Sequence, residues 1–438
     1  MSELRRYPDY KDSGVPWLGE IPSHWEVIDN KFIFNFSRGL TITKANLVDE
    51  GIPCINYGEV HSKYGFEVDP KIHKLKCVPK EYVENFDYAL LNRGDFIFAD
   101  TSEDYKGSGN FTYLNSDEMT FAGYHTVVAR LKTDDNPRFM AYLFDSNEFR
   151  TQVKTRVSGV KVFSITHNIL KNVSVWIPPK DEQQAIVNFL DNELEHIDTL
   201  ISKQQQLIER LAEQRSAVIT HAVTKGLDTN VAMKDSGVEW LGDIPEHWKL
   251  MRLRYLCRIT TGNQDTQDRD PDGIYPFYVR SNTVERTHAY TFDNEAVLMA
   301  GDGVGAGKIF HYVNGKYGCH QRVYSLYKLK DITGQFLYHY LKLFFPRKIA
   351  EGGAKSTVDS VRLPMLQDFP VSLPPIKEQL VIVENLETDI NKIDQMSDSN
   401  KSIIAKLQEY RSALITQAVT GKIDVRDIAK GNRTEEIA

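Results

Sequence analysis

IPPKDEQQAIVNFL occupies residues 177–190, and LPPIKEQLVIVENL occupies residues 373–386, 196 residues further along the chain. Each stretch continues without a gap to another matching pair, RSAVITHAVTKGLD from Arg215 and RSALITQAVTGKID from Arg411, at the same offset of 196 residues. Chance does not produce matches of this length twice. The chain is therefore an internal duplication, and the repeats are the best guide to its architecture.

A second box is repeated at a different offset. KDSGVPWLGEIPSHW at residues 11–25 matches KDSGVEWLGDIPEHW at residues 234–248 in 12 of 15 positions, with an offset of 223 residues. The two offsets differ by 27, so the insert between the boxes is 27 residues longer in the first half of the chain. The inserts themselves are far more divergent than the boxes. We call the two repeated boxes of each half, with the helix that follows the second box, the frame of that half. The two frames are thus similar, whereas the inserts that they carry are dissimilar.

The repeats at offset 196 have the period of a long amphipathic helix. Apolar residues recur at alternating steps of four and three over about five heptads, which is typical of a coiled-coil seam. A proline pair precedes each helix, and Gly226 or Gly421 follows it, where a helix would end. Forty-two residues at ~1.5 Å each make a helix of ~60 Å. Because each helix has one apolar stripe, we expect the two copies to pack against each other, antiparallel. The predicted seam contains Leu190, Leu194, Ile197, Ile201, Gln204, Ile208, Leu211, Leu386, Ile390, Ile393, Asn400, Ile404 and Leu407.

Two polar residues, Gln204 and Asn400, fall at matched positions in the middle of the seam. Polar side chains at such positions often specify register at a cost in stability. The alternative is that the seam merely opens at its middle, and the sequence does not decide between the two interpretations.

Composition restricts the class of protein. The chain has 438 residues, which favours two or more domains, and no stretch approaches the ~20 apolar residues of a membrane span. The start of the chain does not resemble a signal peptide, so we expect a cytoplasmic protein with no membrane contact. Its four cysteines lie far apart without metal-ligand spacing, and we interpret them as reduced core thiols.

The net charge of −7 is concentrated in the predicted helices. Residues 181–222 carry −5 and residues 377–418 carry −2, so the remainder of the chain sums to zero. A neutral remainder permits local basic faces but predicts no strong attraction to phosphates. If the chain binds DNA, tight binding would need the charge of a partner.

The inserts have the pattern of small mixed α/β domains. Short β-branched or aromatic segments bounded by Gly and Asp predict strands at residues 88–91, 95–98, 296–299 and 322–327. A helix is predicted at residues 138–153 and its match at residues 334–345. Gly123-x-His125 and Gly318-x-His320 are among the few sequence matches between the inserts.

A glycine-rich stretch, GDGVGAGK at residues 301–308, resembles a phosphate-binding loop. It departs from that motif because five residues separate Gly301 from Gly307 and because Ile309 stands where Ser or Thr is required. The following residues look like a strand rather than a helix, so we favour a glycine-rich hairpin or a DNA-contacting loop.

The repeated tryptophan box, with Trp17, Trp25, Trp240 and Trp248, could be a peptide-binding or base-stacking site. Its occurrence once in each half favours a structural clasp. No nucleophile, acid pair or cofactor loop with the spacing of a nuclease, methyltransferase or hydrolase stands out in the chain.

If the chain binds DNA, its base-reading residues would come from the inserts, where the halves differ. Arginine suits guanine and asparagine suits adenine in the major groove, while lysine and arginine also anchor phosphates. Each candidate taken singly could equally be solvated surface. The candidate DNA-contacting residues are Asn56, Tyr57, Glu59, Lys154, Arg156, Lys161, Arg280, Ser281, Asn282, Lys308, Lys348 and Lys355.

With these repeats, the chain resembles the specificity (S) subunit of a Type I restriction-modification system. The resemblance covers nearly the full length and depends on two variable inserts, each followed by a helix that a PPxxEQ-type box opens, at residues 178–183 and 374–379. It implies an α+β fold in which two globular α/β target-recognition domains are separated by two long antiparallel coiled-coil helices with pseudo-two-fold symmetry. The predicted division is 1–180 and 227–376 for the domains, 181–226 and 377–424 for the helices, and 425–438 for a tail near the N-terminus.

The resemblance also implies a function. Each domain would read one half of a bipartite, asymmetric target in double-stranded DNA, and the helices would set the gap and bind two modification subunits. The chain would have no catalytic residues and bind no metal or cofactor, whereas the modification subunits would use S-adenosylmethionine and the restriction subunits ATP and Mg²⁺. Two alternatives stay open: a stand-alone methyltransferase or nuclease, for which the motifs are missing, and a coiled-coil adaptor, which would not need two unlike inserts.

Overall fold

The two long helices belong to both structural units of the chain. The computed structural model describes residues 5–159, 162–351 and 360–428. The first unit contains the described residues up to Lys203 and from Ile403 onward, and the second unit is Gln204–Ser402. Each unit therefore combines one α/β domain, here the first or second domain, with half of each long helix. The division predicted from the sequence treats the helices as separate segments and stays a prediction.

The first half of the chain alternates short strands with short helices. Its strands are β1 (Tyr10–Asp12), β2 (Glu20–Pro22), β3 (Glu26–Asp29), β4 (Phe34–Arg38), β5 (Ile52–Ile55), β6 (Phe66–Val68), β7 (Lys76–Val78), β8 (Leu90–Leu91), β9 (Phe96–Ala99), β10 (Thr101–Ser102), β11 (Phe111–Leu114), β12 (Thr120–Ala122), β13 (Thr126–Leu131), β14 (Phe163–Ser164) and β15 (Ser174–Ile177). Its helices are α1 (Asn30–Ile33), α2 (Tyr82–Asn85), α3 (Pro137–Asp145), α4 (Asn147–Lys154), α5 (His167–Lys171) and the long α6 (Lys180–Lys225).

The first domain contains two main sheets. One has the order β4-β13-β9-β11-β6 and the other β7-β5-β12-β8, with β5 and β12 parallel. Aromatic side chains of the first sheet, including Phe96 and Phe111, pack against Phe144 of α3 in the core that also reaches the long helices. This core fixes the domain to its half of the helix pair.

The second half of the chain is simpler. Its strands are β16 (Met233–Asp235), β17 (Asp243–Pro245), β18 (Lys249–Arg252), β19 (Arg258–Thr261), β20 (Tyr275–Tyr278), β21 (Glu285–Thr287), β22 (Phe292–Ala300), β23 (Phe310–Cys319), β24 (Val323–Tyr327) and β25 (Pro370–Leu373). Its helices are α7 (Gly334–Glu351), α8 (Leu363–Gln367) and the long α9 (Ile376–Val419). The domain's main sheet has the order β19-β24-β22-β23-β20-β21, with β20 and β23 parallel.

The strand predictions at residues 95–98, 296–299 and 322–327 are confirmed by β9, β22 and β24, whereas only Leu90–Leu91 of the segment 88–91 is a strand. The single helix predicted at residues 138–153 is wrong, because the chain breaks into α3 and α4 at Ser146. Ser146 has extended backbone angles, and its hydroxyl accepts a hydrogen bond from the Phe149 amide at 3.4 Å. It therefore acts as an N-cap and starts a new helix.

The long helices start and end where the sequence predicts. α6 begins directly after Pro178-Pro179 and α9 directly after Pro374-Pro375. Within the first unit Arg411 Nε donates to Asp198 Oδ1 at 3.1 Å, and the start of α6 lies near the end of α9, so the two half-helices run antiparallel. Within the second unit Arg215 Nε donates to Asp394 Oδ1 at 3.1 Å and the start of α9 lies near the end of α6, so these halves also run antiparallel. The predicted α+β fold with two α/β domains and two long helices is confirmed.

A buried carboxylate joins the two kinds of repeat in the first unit. Glu182, in the first turn of α6, accepts hydrogen bonds from Trp25 Nε1 at 3.1 Å and from His24 Nε2 at 2.8 Å. Trp25 is fully buried, and the Glu182 side chain is only 2% exposed. The tryptophan box is thus fixed to the PPxxEQ-type box, 157 residues away in sequence.

The second unit contains the same arrangement with the equivalent residues. Glu378 accepts from Trp248 Nε1 at 3.0 Å and from His247 Nε2 at 2.8 Å. The two repeats of different offset, 223 and 196 residues, therefore meet at one structural site in each half. The buried positions of Trp25 and Trp248 support the structural clasp and leave neither indole available for stacking on a base.

The ends of the long helices complete each clasp. Trp176 Nε1 donates to the carbonyl of Val419 at 2.6 Å in the first unit, and Ser372 Oγ donates to the carbonyl of Val223 at 3.1 Å in the second. Two different residue types at equivalent positions thus bond equivalent termini, the end of α9 in the first unit and the end of α6 in the second. Gly421 closes α9 with φ of +67°, and a Cβ there would lie 3.2 Å from the Trp25 ring. Glycine is required for both the left-handed backbone and the close contact.

Candidate nucleic-acid interface

The first domain places its predicted base readers where parallel strands β5 and β12 end. Asn56, directly after β5, is 1% exposed, and its amide donates to the carbonyl of Cys54 at 3.1 Å. Glu59 is also buried, and its carboxylate accepts from the backbone N–H of Asn56 at 3.2 Å and from Lys63 Nζ at 3.2 Å. These two side chains shape the turn and do not face solvent.

Tyr57 is the member of this group that reaches the surface. It is half-buried and stacks on His61, with ring centroids 5.1 Å apart. Burial raises the pKa of the Tyr57 hydroxyl, so it is a neutral donor at physiological pH. Nearby, His125 is 62% exposed, and its Nδ1 lies 3.2 Å from Asp100 Oδ1. The strand ends of the first domain thus present aromatic and imidazole groups.

The second domain presents arginines at the corresponding strand ends. Arg280 follows β20, and its NH1 donates to Asp302 Oδ1 at 2.8 Å. Asp302 follows β22 and accepts a second guanidinium bond, from Arg322 NH1 at 2.9 Å. Ser281 and Asn282 follow Arg280, and the Ser281 hydroxyl donates to the Thr283 carbonyl at 3.0 Å. Two guanidinium groups therefore share one carboxylate on this face.

The glycine-rich stretch at residues 301–308 is the connection between antiparallel strands β22 and β23. A strand and not a helix follows it, so the hairpin interpretation is confirmed and the phosphate-loop geometry is absent from this described segment. A Cβ at Gly305 would lie 2.9 Å from the carbonyl oxygen of Arg280, and one at Gly301 would lie 3.0 Å from that of Arg322. The glycines let the hairpin approach both arginine-bearing segments closely.

The basic candidates for phosphate contact have different surroundings. Lys154 is half-buried, and burial, with a further contribution from Arg150, lowers its pKa. Arg156 is exposed, donates to the carbonyl of Gln152 at 2.9 Å and lies 5.9 Å from the centroid of Trp17. Lys308 and Lys348 are also exposed. Two further candidates, Lys161 and Lys355, lie outside the described residues.

The predicted seam residues lie at the inner face of the helices to different degrees. Asn400 is buried, but its amide donates to Met396 of its own helix at 2.7 Å, and Gln204 Oε1 is buried without a partner among the described residues. The register role of this polar pair stays a prediction. Buried seam residues are Leu190, Leu194, Ile197, Leu211, Leu386, Ile390 and Ile393, and partly buried ones are Ile201, Gln204, Ile208, Ile404 and Leu407.

The cysteines are four free, buried thiols, as the sequence predicts. Burial raises the pKa of Cys257 and of Cys319 to about 12, which leaves both protonated and unreactive near neutral pH. Within the described ranges, no cluster of three His, Cys, Asp or Glu side chains could hold a metal ion. None of the helices in those ranges combines the length and apolar character that crossing a membrane requires.

Comparison with known proteins identifies the family. The family model described as the Type I restriction modification DNA specificity domain matches residues 22–210 and 245–405, which is more than half of the chain. The chain belongs to this family. Each matched region contains one insert and the first part of the helix that follows it, so the family's domain occurs twice.

Individual relatives agree with this assignment. The specificity subunit of the Type I restriction enzyme EcoDI from Escherichia coli is 32% identical over 182 residues, which is 42% of this chain and 40% of that protein. The specificity subunit of EcoKI from Escherichia coli strain K12 is 21% identical over 92% of this chain and 90% of that protein. A solved structure, from work on complex assembly and conformational transition of the type I R-M system, shares the fold with a TM-score of 0.72 and 16% identity, and covers 92% of this chain and 99% of that chain.

Sequence reasoning missed three residues of this specificity-domain frame, His125, Asp302 and Arg322. The sequence aligns His125 with His320 through the motifs Gly123-x-His125 and Gly318-x-His320, but in the structure the equivalent position lies two residues further along the second domain. The amide of Asp100 bonds the carbonyl of His125 at 3.1 Å, as the amide of Gly301 bonds that of Arg322 at 2.9 Å. His125 and Arg322 are therefore equivalent. No local sequence signal shows this, because only the strand pairing brings these positions together.

Proposed function

We propose that the chain is a non-catalytic subunit that gives a Type I restriction-modification complex its DNA specificity. Each domain reads one half of a bipartite, asymmetric site in double-stranded DNA. The long helices α6 and α9 set the gap between the half-sites and bind two modification subunits. We propose that the protein works in the cytoplasm.

One observation carries this proposal: the two halves repeat the same frame but differ in the side chains that the frame presents. The clasps around Glu182 and Glu378 have the same hydrogen bonds to within 0.1 Å. At the strand ends, however, the first domain offers Tyr57 and His125, and the second offers Arg280 and Arg322. A conserved frame with different exposed groups suits two readers of different sequences.

The proposed DNA contacts follow from exposure. A buried side chain whose hydrogen bonds are satisfied cannot reach a base without rearrangement, so Asn56 and Glu59 are excluded from the direct contacts that we propose. Base contacts are assigned to the strand ends and phosphate contacts to the surrounding basic residues. Of the candidates that the sequence suggested, the proposed contacts are Tyr57, Lys154, Arg156, Arg280, Ser281, Asn282, Lys308 and Lys348.

The helices support the partner-binding role. Several large apolar side chains on α6 and α9 are exposed, including Leu200, Leu207, Met396 and Tyr410. Residues 181–222 of α6 and 377–418 of α9 together carry a net charge of −7, which disfavours contact with DNA phosphates and favours a protein partner. We propose that the modification subunits bring S-adenosylmethionine chemistry, that restriction subunits bring ATP- and Mg²⁺-dependent activity, and that this chain binds none of these cofactors.

We propose that the modification subunits methylate adenine, so the test is a map of methylated adenines in the host genome with and without this chain. The proposal predicts a two-part methylated motif that disappears when the chain is deleted and returns when it is restored. A motif that persists without the chain would contradict the proposal. Incubation of the pure chain with labelled S-adenosylmethionine and DNA tests the enzyme alternative, for which transfer of label by the chain alone would be the positive result.

A further inference from the structure

We infer that Arg280 and Arg322 read a G·C pair in the half-site of the second domain, and that Asp302 is the positioning residue that holds both guanidinium groups for this contact. This inference rests on the proposed function and specifies which residues of the second domain determine the base. It adds Arg322 and Asp302 to the candidates that the sequence alone suggested.

The three residues come from three different strand ends. Arg280 lies two residues after β20, Asp302 two residues after β22, and Arg322 directly before β24. Asp302 uses one oxygen for each guanidinium, at 2.8 and 2.9 Å, and its side chain is 21% exposed. The two arginine side chains are 40% and 57% exposed. The carboxylate thus lies beneath two guanidinium groups that face outward.

The chemistry of the trio suits a base edge. Each arginine gives one of its terminal nitrogens, NH1, to Asp302, and a guanidinium has five N–H donors in a fixed fork. Burial would raise the pKa of Asp302, but the hydrogen bonds from Arg280 and Arg322 outweigh it and hold that pKa below its usual range. The trio therefore carries one net positive charge. Arginine bonded in a bidentate manner to guanine O6 and N7 is the commonest specific contact in the major groove.

The backbone around the trio is also fixed. The amide of Arg322 donates to Nδ1 of His320 at 3.0 Å, and Nε2 of His320 lies 3.4 Å from Asp265 Oδ1. His320 is 3% exposed. Gly303, with φ of +74°, would place a Cβ 3.5 Å from NH1 of Arg280. That distance is an ordinary van der Waals contact, so the hairpin backbone lies beside the guanidinium, and the left-handed backbone rather than a lack of space favours glycine at position 303.

The first domain has the same frame positions with different side chains. The amide of Gly123 bonds the carbonyl of Ile55 at 2.7 Å, as the amide of His320 bonds that of Tyr278 at 3.1 Å. Ile55 is therefore equivalent to Tyr278, and Gly123 is equivalent to His320. Two residues further along the chain, Tyr57 takes the position of Arg280, and His125 takes that of Arg322. The positions that differ most in chemistry are thus equivalent in the frame, as expected of specificity-determining residues.

The first experiment uses the chain assembled with its modification subunits in the host, and genome-wide methylation as the readout. Arg280→Lys and Arg322→Lys keep the charge but remove the bidentate fork. At least one of them is expected to relax a single G·C position in one half-site, with roughly 10- to 100-fold lower discrimination and the other half unchanged. Arg269→Lys, an exposed arginine of the same domain that pairs with Glu285, is the matched control and should leave the motif intact.

Three outcomes would overturn the inference: no G·C pair in the half-site of the second domain, an unchanged motif in both lysine variants, or a uniform loss at all sites, which indicates phosphate contact instead. A second measurement needs no variant. The wild-type complex should bind a target with 7-deazaguanine at the read position roughly 10-fold more weakly, because guanine N7 is missing. Equal binding would contradict base reading. If wild type yields no chain-dependent motif, the proposed function itself has failed.

Discussion

Arg411 and Asp198 form an ion pair of 3.1 Å between Nε and Oδ1, and Arg215 and Asp394 form the equivalent pair at the same distance. Each residue of the first pair lies 196 positions from its counterpart in the second, with the roles of the two helices exchanged. The duplicated helices thus have the same register in each unit. Because all four side chains are about one third or more exposed, we attribute stability mainly to the apolar seam and not to these pairs.

The clasp carboxylates should differ in their importance for stability. Glu182→Ala leaves the buried indole N–H of Trp25 without an acceptor, and we expect it to lower the free energy of unfolding by ~1–3 kcal/mol. Glu378→Ala is the matched control, because its side chain is 30% exposed and water can replace it. Urea unfolding of both variants measures the difference. Equal losses, or a larger loss for Glu378→Ala, would count against the buried clasp.

The two ends of the chain should tolerate being joined. The amide of Asp424 donates to the carbonyl of Arg5 at 2.7 Å, and Tyr10 Oη donates to the carbonyl of Gly421 at 2.9 Å. A circular permutant that links residue 438 to residue 1 and opens in the exposed loop near Asp228 is expected to keep its circular dichroism and thermal midpoint. Opening the chain inside β9, in the buried core, is the control that should not fold. If the first permutant did not fold, the inference that the two ends of the chain lie close enough to be joined would lose its support.

The second unit should lose stability in mild acid because of His339. Burial, together with Lys342 and Arg215, lowers the pKa of His339 to about 4, so the folded state favours the neutral imidazole. Because the pKa of His339 is lower in the folded than in the unfolded state, the stability that depends on the neutral imidazole is fully present above the unfolded pKa of ~6.5. It falls as the pH drops toward 4, by on the order of 2 kcal/mol. His339→Gln should flatten that dependence in unfolding experiments. His221→Gln, at an exposed position, should leave it unchanged; an equal slope in all three proteins would refute this assignment.

The long helices should act as the ruler for the DNA target. A four-residue insertion after Gln204 adds one turn and lengthens α6 by ~6 Å at ~1.5 Å per residue, while keeping the apolar stripe nearly in phase. We expect the gap in the methylated motif to grow by about two base pairs at ~3.4 Å each, with the same bases read in both halves. The same insertion in the exposed loop at Asn230 should leave the gap unchanged. An unaltered gap in the first variant would show that the helices do not set it.

The frame of this protein could be predicted well from the sequence because it occurs twice in the chain. The proline pairs of the PPxxEQ-type boxes mark helix starts that the structure confirms, and the tryptophan boxes form the expected clasps, because repetition separates such signals from chance. The break at Ser146 was missed, although serine is a favoured N-cap residue and Glu148 is an acidic residue in the first turn of the following helix. The apolar residues of α3 and α4 follow one continuous helical period, so the sequence pattern did not reveal the N-cap at Ser146.

The candidate site was predictable only in outline. Arg280 could be found because it follows a strand and has a base-reading side chain. Asp302 and Arg322 lie 22 and 42 residues from it, in a hairpin and a turn that the sequence connects by no motif. Nothing in a single sequence shows that the side-chain amide of Asn56 turns inward and bonds the carbonyl of Cys54. Pairing of strand ends, not local pattern, decides which polar residues face outward.

The central claim is that each domain reads one half of the DNA target independently. Its most direct test is an exchange of residues 26–176 for the corresponding first domain of another family member. The assembled hybrid is then expressed in the host, and methylated adenines are mapped across the genome. The account predicts a motif in which one half is replaced and the other half, with its G·C pair, is retained, because each domain lies on its own copy of the frame. A motif in which both halves change together, or in which neither changes, would contradict it.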